Sequence, residues 1–148
     1  MDIRIRKAEK SDLVHILSLY GQPDMDHGEV LGLPEAEAIF TRIKSYPDYH
    51  IYVAESQGAI VGTFALAIMD NLAHRGALSG LIEDVVVASD HQGMGIGKQM
   101  MRFALDTCRE KGCYKTVLSS NQKRVNAHRF YEGLGFTRHG YSFTMNLE

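Results

Sequence analysis

The residues whose types and spacing could do chemistry are concentrated in one stretch, residues 81–98, which reads LIEDVVVASDHQGMGIGK. An apolar run there enters a turn with glycine at alternate positions, Gly93, Gly95 and Gly97, and then a helical pattern. Glycines leave backbone N–H groups sterically open, and a helix N-terminus adds the positive end of its dipole. A phosphate-bearing ligand is the expected occupant. Glycine is a poor helix former, so a plain capping turn is the weaker explanation of the three. Glu83 and Asp84 interrupt the apolar run just before this turn. A carboxylate beside such a strand could take a proton from a reacting ammonium group.

Two familiar phosphate motifs do not fit. A triphosphate-binding Walker loop needs glycine where Gln92 stands and serine or threonine where Gln99 stands. The dinucleotide fingerprint needs glycine at Lys98 and belongs after the first strand of its domain, whereas this turn is mid-chain.

Gln92, Gly95 and Gly97 instead form Gln-x-x-Gly-x-Gly, which resembles the pyrophosphate loop of the GNAT superfamily of acyl-CoA-dependent N-acetyltransferases. Downstream, residues 126–136, NAHRFYEGLGF, resemble the family's second signature, in which a helix carrying Phe-Tyr runs into Leu-Gly-Phe. The opening, residues 3–8 followed by Asp12 and Leu13, fits as well. The likeness spans nearly the whole chain, with its specific part between residues 81 and 136.

The resemblance implies one domain over residues 1–148 with an α/β (α+β) fold: a mixed, mostly antiparallel sheet of about six to seven strands with helices on both faces. It implies acetyl-CoA as cosubstrate. The pyrophosphate would lie on the loop formed by Gln92, Gly93, Met94, Gly95, Ile96, Gly97 and Lys98, and the pantetheine arm would pair with backbone groups near Val85, Val86 and Val87. Asn126 is a further coenzyme contact carried over from the family pattern, although Arg124 stands where many relatives have asparagine. Tyr131 matches the tyrosine that protonates the departing thiolate, a backbone N–H near Val86 would hold the oxyanion, and Glu83 or Asp84 would be the base. Adjacent strand residues point to opposite faces, so without a bulge only one of the two acids can face the cleft. Glu83 is slightly favoured. Direct transfer is expected, because neither Cys108 nor Cys113 stands in an obvious dyad with histidine.

Residues 82–87 resemble the matching strand of glucosamine-6-phosphate N-acetyltransferases, and residues 118–131 resemble aminoalkylphosphonate N-acetyltransferases. Both act on small amines carrying an anionic group. Arg75, Lys123 or Arg124 could hold such an anion, and Asp24, Asp26 and Glu29 could attract the ammonium, although loop charges are commonly there for hydration alone. The expected function is acetyl transfer to a primary amine of a small molecule. The alternatives are a protein or peptide N-acetyltransferase and an acyl-CoA-binding regulatory module without turnover. Relatives commonly pair, so the resemblance also admits a homodimer.

Composition agrees. The chain has 148 residues, 45% of them hydrophobic, enough for one sizeable core. A net charge of −2 offers no general drive toward nucleic acid. No apolar run approaches the roughly 18 residues of a membrane span, and the charged start is not a signal peptide, so no membrane partner and a cytoplasmic location are expected. Two cysteines make neither a disulfide framework nor a metal pattern, and the seven histidines lack zinc-hydrolase spacing, so no metal is expected.

The elements that must position these residues follow from periodicity. Ile3 and Ile5 alternate with Arg4 and Arg6 as a strand, and Ser11 is placed to cap a helix whose apolar face is Leu13, Ile16, Leu17 and Tyr20. After a loop at residues 21–33 comes a short amphipathic helix over 34–45. Residues 50–55 and 59–69 read as a hairpin about Gln57-Gly58, with Gly62 as a bulge candidate. A strand over 81–87, covered on both faces, leads to a helix over 95–111 stopped by Gly112. A strand over 116–118, a helix over about 125–134 and a last hairpin over 136–147 about Gly140 complete the expectation.

Overall fold

The computed structural model describes residues 2–23, 25 and 28–148. They fall into two compact units, Met1–Val117 and Leu118–Glu148. The first carries β1 (Arg4–Lys7), α1 (Leu13–Tyr20), α2 (Leu33–Ile43), β2 (Tyr49–Ser56), β3 (Ala59–Met69), β4 (Leu78–Val87), α3 (Ile96–Lys111) and β5 (Cys113–Leu118), whose last residue begins the second unit. In the second unit, α4 spans Val125–Gly133.

The sheet runs in the order β1-β2-β3-β4-β5, and its first three pairs are antiparallel. Five strands are present among the described residues, which corrects the expectation of about six to seven. The missing ones lie at residues 136–147, which hold no regular structure. Tyr141, Phe143, Met145 and Leu147 alternate there as a strand would, yet each is more than four-fifths exposed. Alternation specifies a face; a strand also needs a neighbour's backbone.

Helices cover both faces of the sheet. On one, Leu13 and Ile16 of α1 and Phe40 of α2 pack on Val53, with Ile51 and Ile60 at the margin. On the other, Tyr52 stacks on Phe64 at 5.1 Å and meets Phe103 of α3 edge-on at 5.3 Å. Helix α3 buries Ile96, Met100, Met101, Ala104 and Cys108, the stripe that a 3.6-residue period dictates. Gly112, at φ 84°, ends it with its N–H on the Arg109 carbonyl.

At the other end of the first unit, a 3₁₀ turn, Lys10–Asp12, precedes α1. Glu9 and Asp12 form its capping box, the role expected of Ser11. Asp12 also accepts two bonds from the Arg6 guanidinium, at 2.7 and 3.0 Å, which tie α1 to β1 and hold the carboxyl below its ordinary range.

One close approach fixes α3 on β4. A methyl group on Gly80 would lie 2.5 Å from Cys108 Sγ. Gly80→Ala should therefore push the helix off the sheet and cost about 1–3 kcal/mol, a Tm loss of roughly 3–10 °C by calorimetry. Adding Cys108→Ala should restore most of the loss, and an unchanged Tm in the single variant would refute this packing.

Candidate active site

Strand β4 ends in the feature that organises the site. Thr63 pairs with Val86 and Ala65 with Glu83, so Phe64 alone on β3 faces Asp84 and Val85 on β4. That is a β-bulge, and Asp84 occupies the left-handed region at φ 54°. Aspartate tolerates this conformation better than most residues, but at an energetic cost of the kind that collects at functional sites. The bulge breaks strand alternation, so the rule that only one acid faces a given side does not hold here. Glu83 and Asp84 are both exposed. Both carboxylates raise the Tyr49 phenol pKa, after burial, which is the larger cause.

Beyond the bulge, backbone direction sorts the strand's polar groups. The Ala88 N–H bonds the Val61 carbonyl at 2.8 Å, so Ala88 and Val86 turn their groups toward β3 and Val87 turns its own away. The Val87 carbonyl accepts from Gln22 Nε2 at 3.1 Å and from Gln92 Nε2 at 3.4 Å. Gln92 thus closes onto the strand end.

The chain then turns through Ser89–His91 into the glycine segment. Gly93 and Gly95 have φ of 79° and 82°, the left-handed region that glycine occupies without steric cost. Gly95 is the N-cap of α3, whereas Gly97 lies within its first turn. The first bond closing the helix runs from the Gln99 N–H to the Gly95 carbonyl, so the amides of Ile96, Gly97 and Lys98 precede it. Ile96, 1% exposed, anchors the turn in the core, while Gln92, Met94 and Lys98 are exposed. A methyl group on Gly93 or Gly95 would meet no atom within 4 Å and would project into open space. This arrangement fits a diphosphate: open amides, a helix N-terminus and a lysine beside it.

The second unit carries the other candidates. Tyr131 is half-buried, with its ring edge-on to Phe130 at 5.2 Å and to Phe136 at 5.9 Å. Burial raises its phenol pKa and the Arg124 guanidinium partly offsets this. Lys123, Arg124, Val125, Asn126 and Ala127 line a shallow polar hollow at the start of α4. His128 Nε2 lies 2.8 Å from the Asn121 carbonyl.

A family model described as Acetyltransferase (GNAT) family matches residues 12–136. The chain belongs to this family. GNAT acetyltransferases use acetyl-CoA as cosubstrate, and the protein is an acyl-CoA-dependent N-acetyltransferase. It is 32% identical to a glucosamine 6-phosphate N-acetyltransferase of Trypanosoma brucei brucei over 99% of this chain and 97% of the relative. It is 35% identical to an aminoalkylphosphonate N-acetyltransferase of Salmonella typhimurium over 68% of this chain and 65% of the relative. The crystal structure of the glucosamine-6-phosphate N-acetyltransferase from Arabidopsis thaliana superposes with a TM-score of 0.87 at 31% identity, covering all of both chains.

Within the first unit of this GNAT protein, Glu83, Asp84, Val85, Val86, Val87 and residues 92–98 form one continuous strand-turn-helix. Tyr131 and Asn126 belong to the second unit. Arg75 is exposed in the loop between β3 and β4, where His74 and Arg75 both hold positive φ, 55° and 59°. His74 packs on the Tyr114 ring at 4.5 Å. Glu29 is exposed, whereas Asp24 and Asp26 lie outside the described residues. Sequence reasoning missed Gln22, whose bonds to Val87 of β4 and to Ser89 just beyond it span more than sixty positions of chain. It also missed Ser120, whose Oγ is buried with no hydrogen-bond partner among the described residues. Among the described residues no group of three or more histidine, cysteine or acidic side chains could hold a metal, and no helix is long and apolar enough to cross a membrane.

Proposed function

We propose that residues 1–148 act as one catalytic domain that transfers acetyl from acetyl-CoA to the primary amine of a small molecule bearing an anionic group. The observation that carries this reading is the glycine turn, with its open amides, immediately after a bulged strand presenting two exposed carboxylates. The names of the relatives, a sugar phosphate and a phosphonate enzyme, support the acceptor class.

In this reading the diphosphate sits on the amides of residues 95–98, with Lys98 adding charge, and the pantetheine arm runs along the outward groups of Val85 and the N–H of Val87. Glu83 or Asp84 takes a proton from the substrate ammonium, directly or through water. The freed amine attacks the thioester carbon, an outward N–H of β4 beside Val86 stabilises the oxyanion, and the C–S bond breaks as Tyr131 protonates the leaving thiolate. No acyl-enzyme is formed. Cys108 is buried, and burial together with Cys108 pushes the Cys113 thiol up to about 11, away from nucleophilic thiolate. Lys123, Arg124 or Arg75 is the proposed partner of the substrate anion, and the working location is the cytoplasm.

Thiol release from acetyl-CoA, followed across amino sugar phosphates, aminoalkylphosphonates, amino acids, polyamines and peptides, tests the function. A phosphorylated or phosphonylated amine should be the best acceptor. Binding of coenzyme A without turnover on any amine would favour the regulatory alternative. Glu83→Ala or Asp84→Ala should lower kcat/KM by about 10²-fold for whichever acid is the base. If both variants keep the wild-type kcat/KM, neither carboxylate is the base.

A further inference from the structure

Gln22 lies just past α1, in a segment whose sequence carries no motif. Its backbone is fixed on both sides: its N–H bonds the Leu19 carbonyl at 3.2 Å, and its own carbonyl accepts the Met25 N–H at 3.0 Å. From that anchored position the side-chain amide reaches the exit of β4. Nε2 donates to the Val87 carbonyl at 3.1 Å and Oε1 accepts the Ser89 N–H at 2.9 Å.

The pattern of those two bonds is informative. A carbonyl of one residue and the N–H of the residue two further on, both served by a single amide, is the pairing that one residue of a parallel strand makes with its neighbour. Gln22 therefore imitates one residue of an added strand at the exit of β4, on the side turned away from β3, where the pantetheine arm of the proposed donor would lie. An extended arm pairing along that edge cannot continue past Val87, because the next polar groups are already satisfied. The chain itself turns there toward the open amides in the first turn of α3.

We infer that Gln22 is a positioning residue that ends the arm's run along β4 and turns the donor into the diphosphate cradle. The inference rests on acetyl-CoA binding as proposed above. It makes the loop after α1 part of donor recognition through two side-chain bonds, with no contact to the reacting atoms. Losing Gln22 leaves both the edge of β4 and the cradle in place but removes the stop that sets one against the other. The effect should appear only with a ligand that contains both parts.

Calorimetry with two probes tests this. Coenzyme A carries the arm and the diphosphate, while 3′-phosphoadenosine 5′-diphosphate carries the diphosphate alone. Gln22→Ala should raise the Kd for coenzyme A about tenfold and leave the Kd for the armless nucleotide within about twofold. The KM for acetyl-CoA should rise in parallel, with kcat at saturating donor little changed. Gln22→Glu fills the same space and keeps the acceptor for Ser89, but loses the donor to Val87. It should be at least as weak for coenzyme A, which also covers the case in which the alanine variant does not fold. Equal losses for both probes, an unchanged Kd for coenzyme A in a folded variant, or a loss confined to kcat would each overturn the assignment. If the wild-type protein itself does not bind coenzyme A, the proposed function fails first and this inference falls with it. Wild-type binding with an unaffected variant refutes Gln22 alone.

Discussion

Tyr131→Phe should lower kcat at saturating acetyl-CoA by about a hundredfold or more, the share that a positioned general acid commonly contributes. The substitution keeps the ring and its edge-on contacts with Phe130 and Phe136, so folding should be little affected. What is lost is the one donor hydrogen of the phenol. Burial raises the phenol pKa above its ordinary value, so the protonated form persists across neutral pH and into the alkaline range. A general acid works in that protonated form, so the contribution of Tyr131 to wild-type activity should be lost as pH rises through this raised pKa. The alkaline limb belonging to Tyr131 should be missing from the residual activity of the Phe variant. Stopped-flow thiol release across pH provides both readouts. An unchanged kcat would reduce Tyr131 to a packing aromatic.

The contrast between what the sequence disclosed and what it concealed has a physical basis. The cradle was legible because its requirement is local: positive φ at Gly93 and Gly95 demands glycine, and Ile96 restarts an apolar period that α3 keeps through Cys108. The hairpin about Gln57-Gly58 was legible for the same reason at Gly58, whose φ of 80° suits glycine, while Gln57 takes φ 50° beside it as a two-residue hairpin turn requires. Gly62 lies where the pairing slips, since Ala54 faces Gly62 while Glu55 faces Ile60. The bulge at Asp84 was not legible. Aspartate takes either conformation, and only the register against β3 fixes which one. Gln22 was invisible because its function lies in bonds to a strand distant in sequence, and nothing in its own neighbourhood marks it. The expected last hairpin failed in the opposite way: residues 136–147 hold the right period and have no partner strand among the described residues.

Gly95→Val should separate the two demands made on the cradle, one conformational and one chemical. At φ 82° a β-branched residue is strained by about 1–2 kcal/mol, although an added Cβ would meet no neighbouring atom. Gly58, at φ 80° in the hairpin turn, also has nothing within 4 Å of an added Cβ. Gly58→Val should therefore carry a comparable loss of stability, read as a similar drop in denaturation midpoint. The two should differ in ligand binding. Relieving the strain at Gly95 rotates the amides that open α3 away from their common point, and the new side chain fills the space a phosphate needs. Two charge-assisted hydrogen bonds are then at stake, and the Kd for coenzyme A should rise roughly a hundredfold in Gly95→Val. In Gly58→Val it should stay at the wild-type value. Equal affinities in the two variants would mean that the glycines serve the turn alone and that the diphosphate is bound elsewhere.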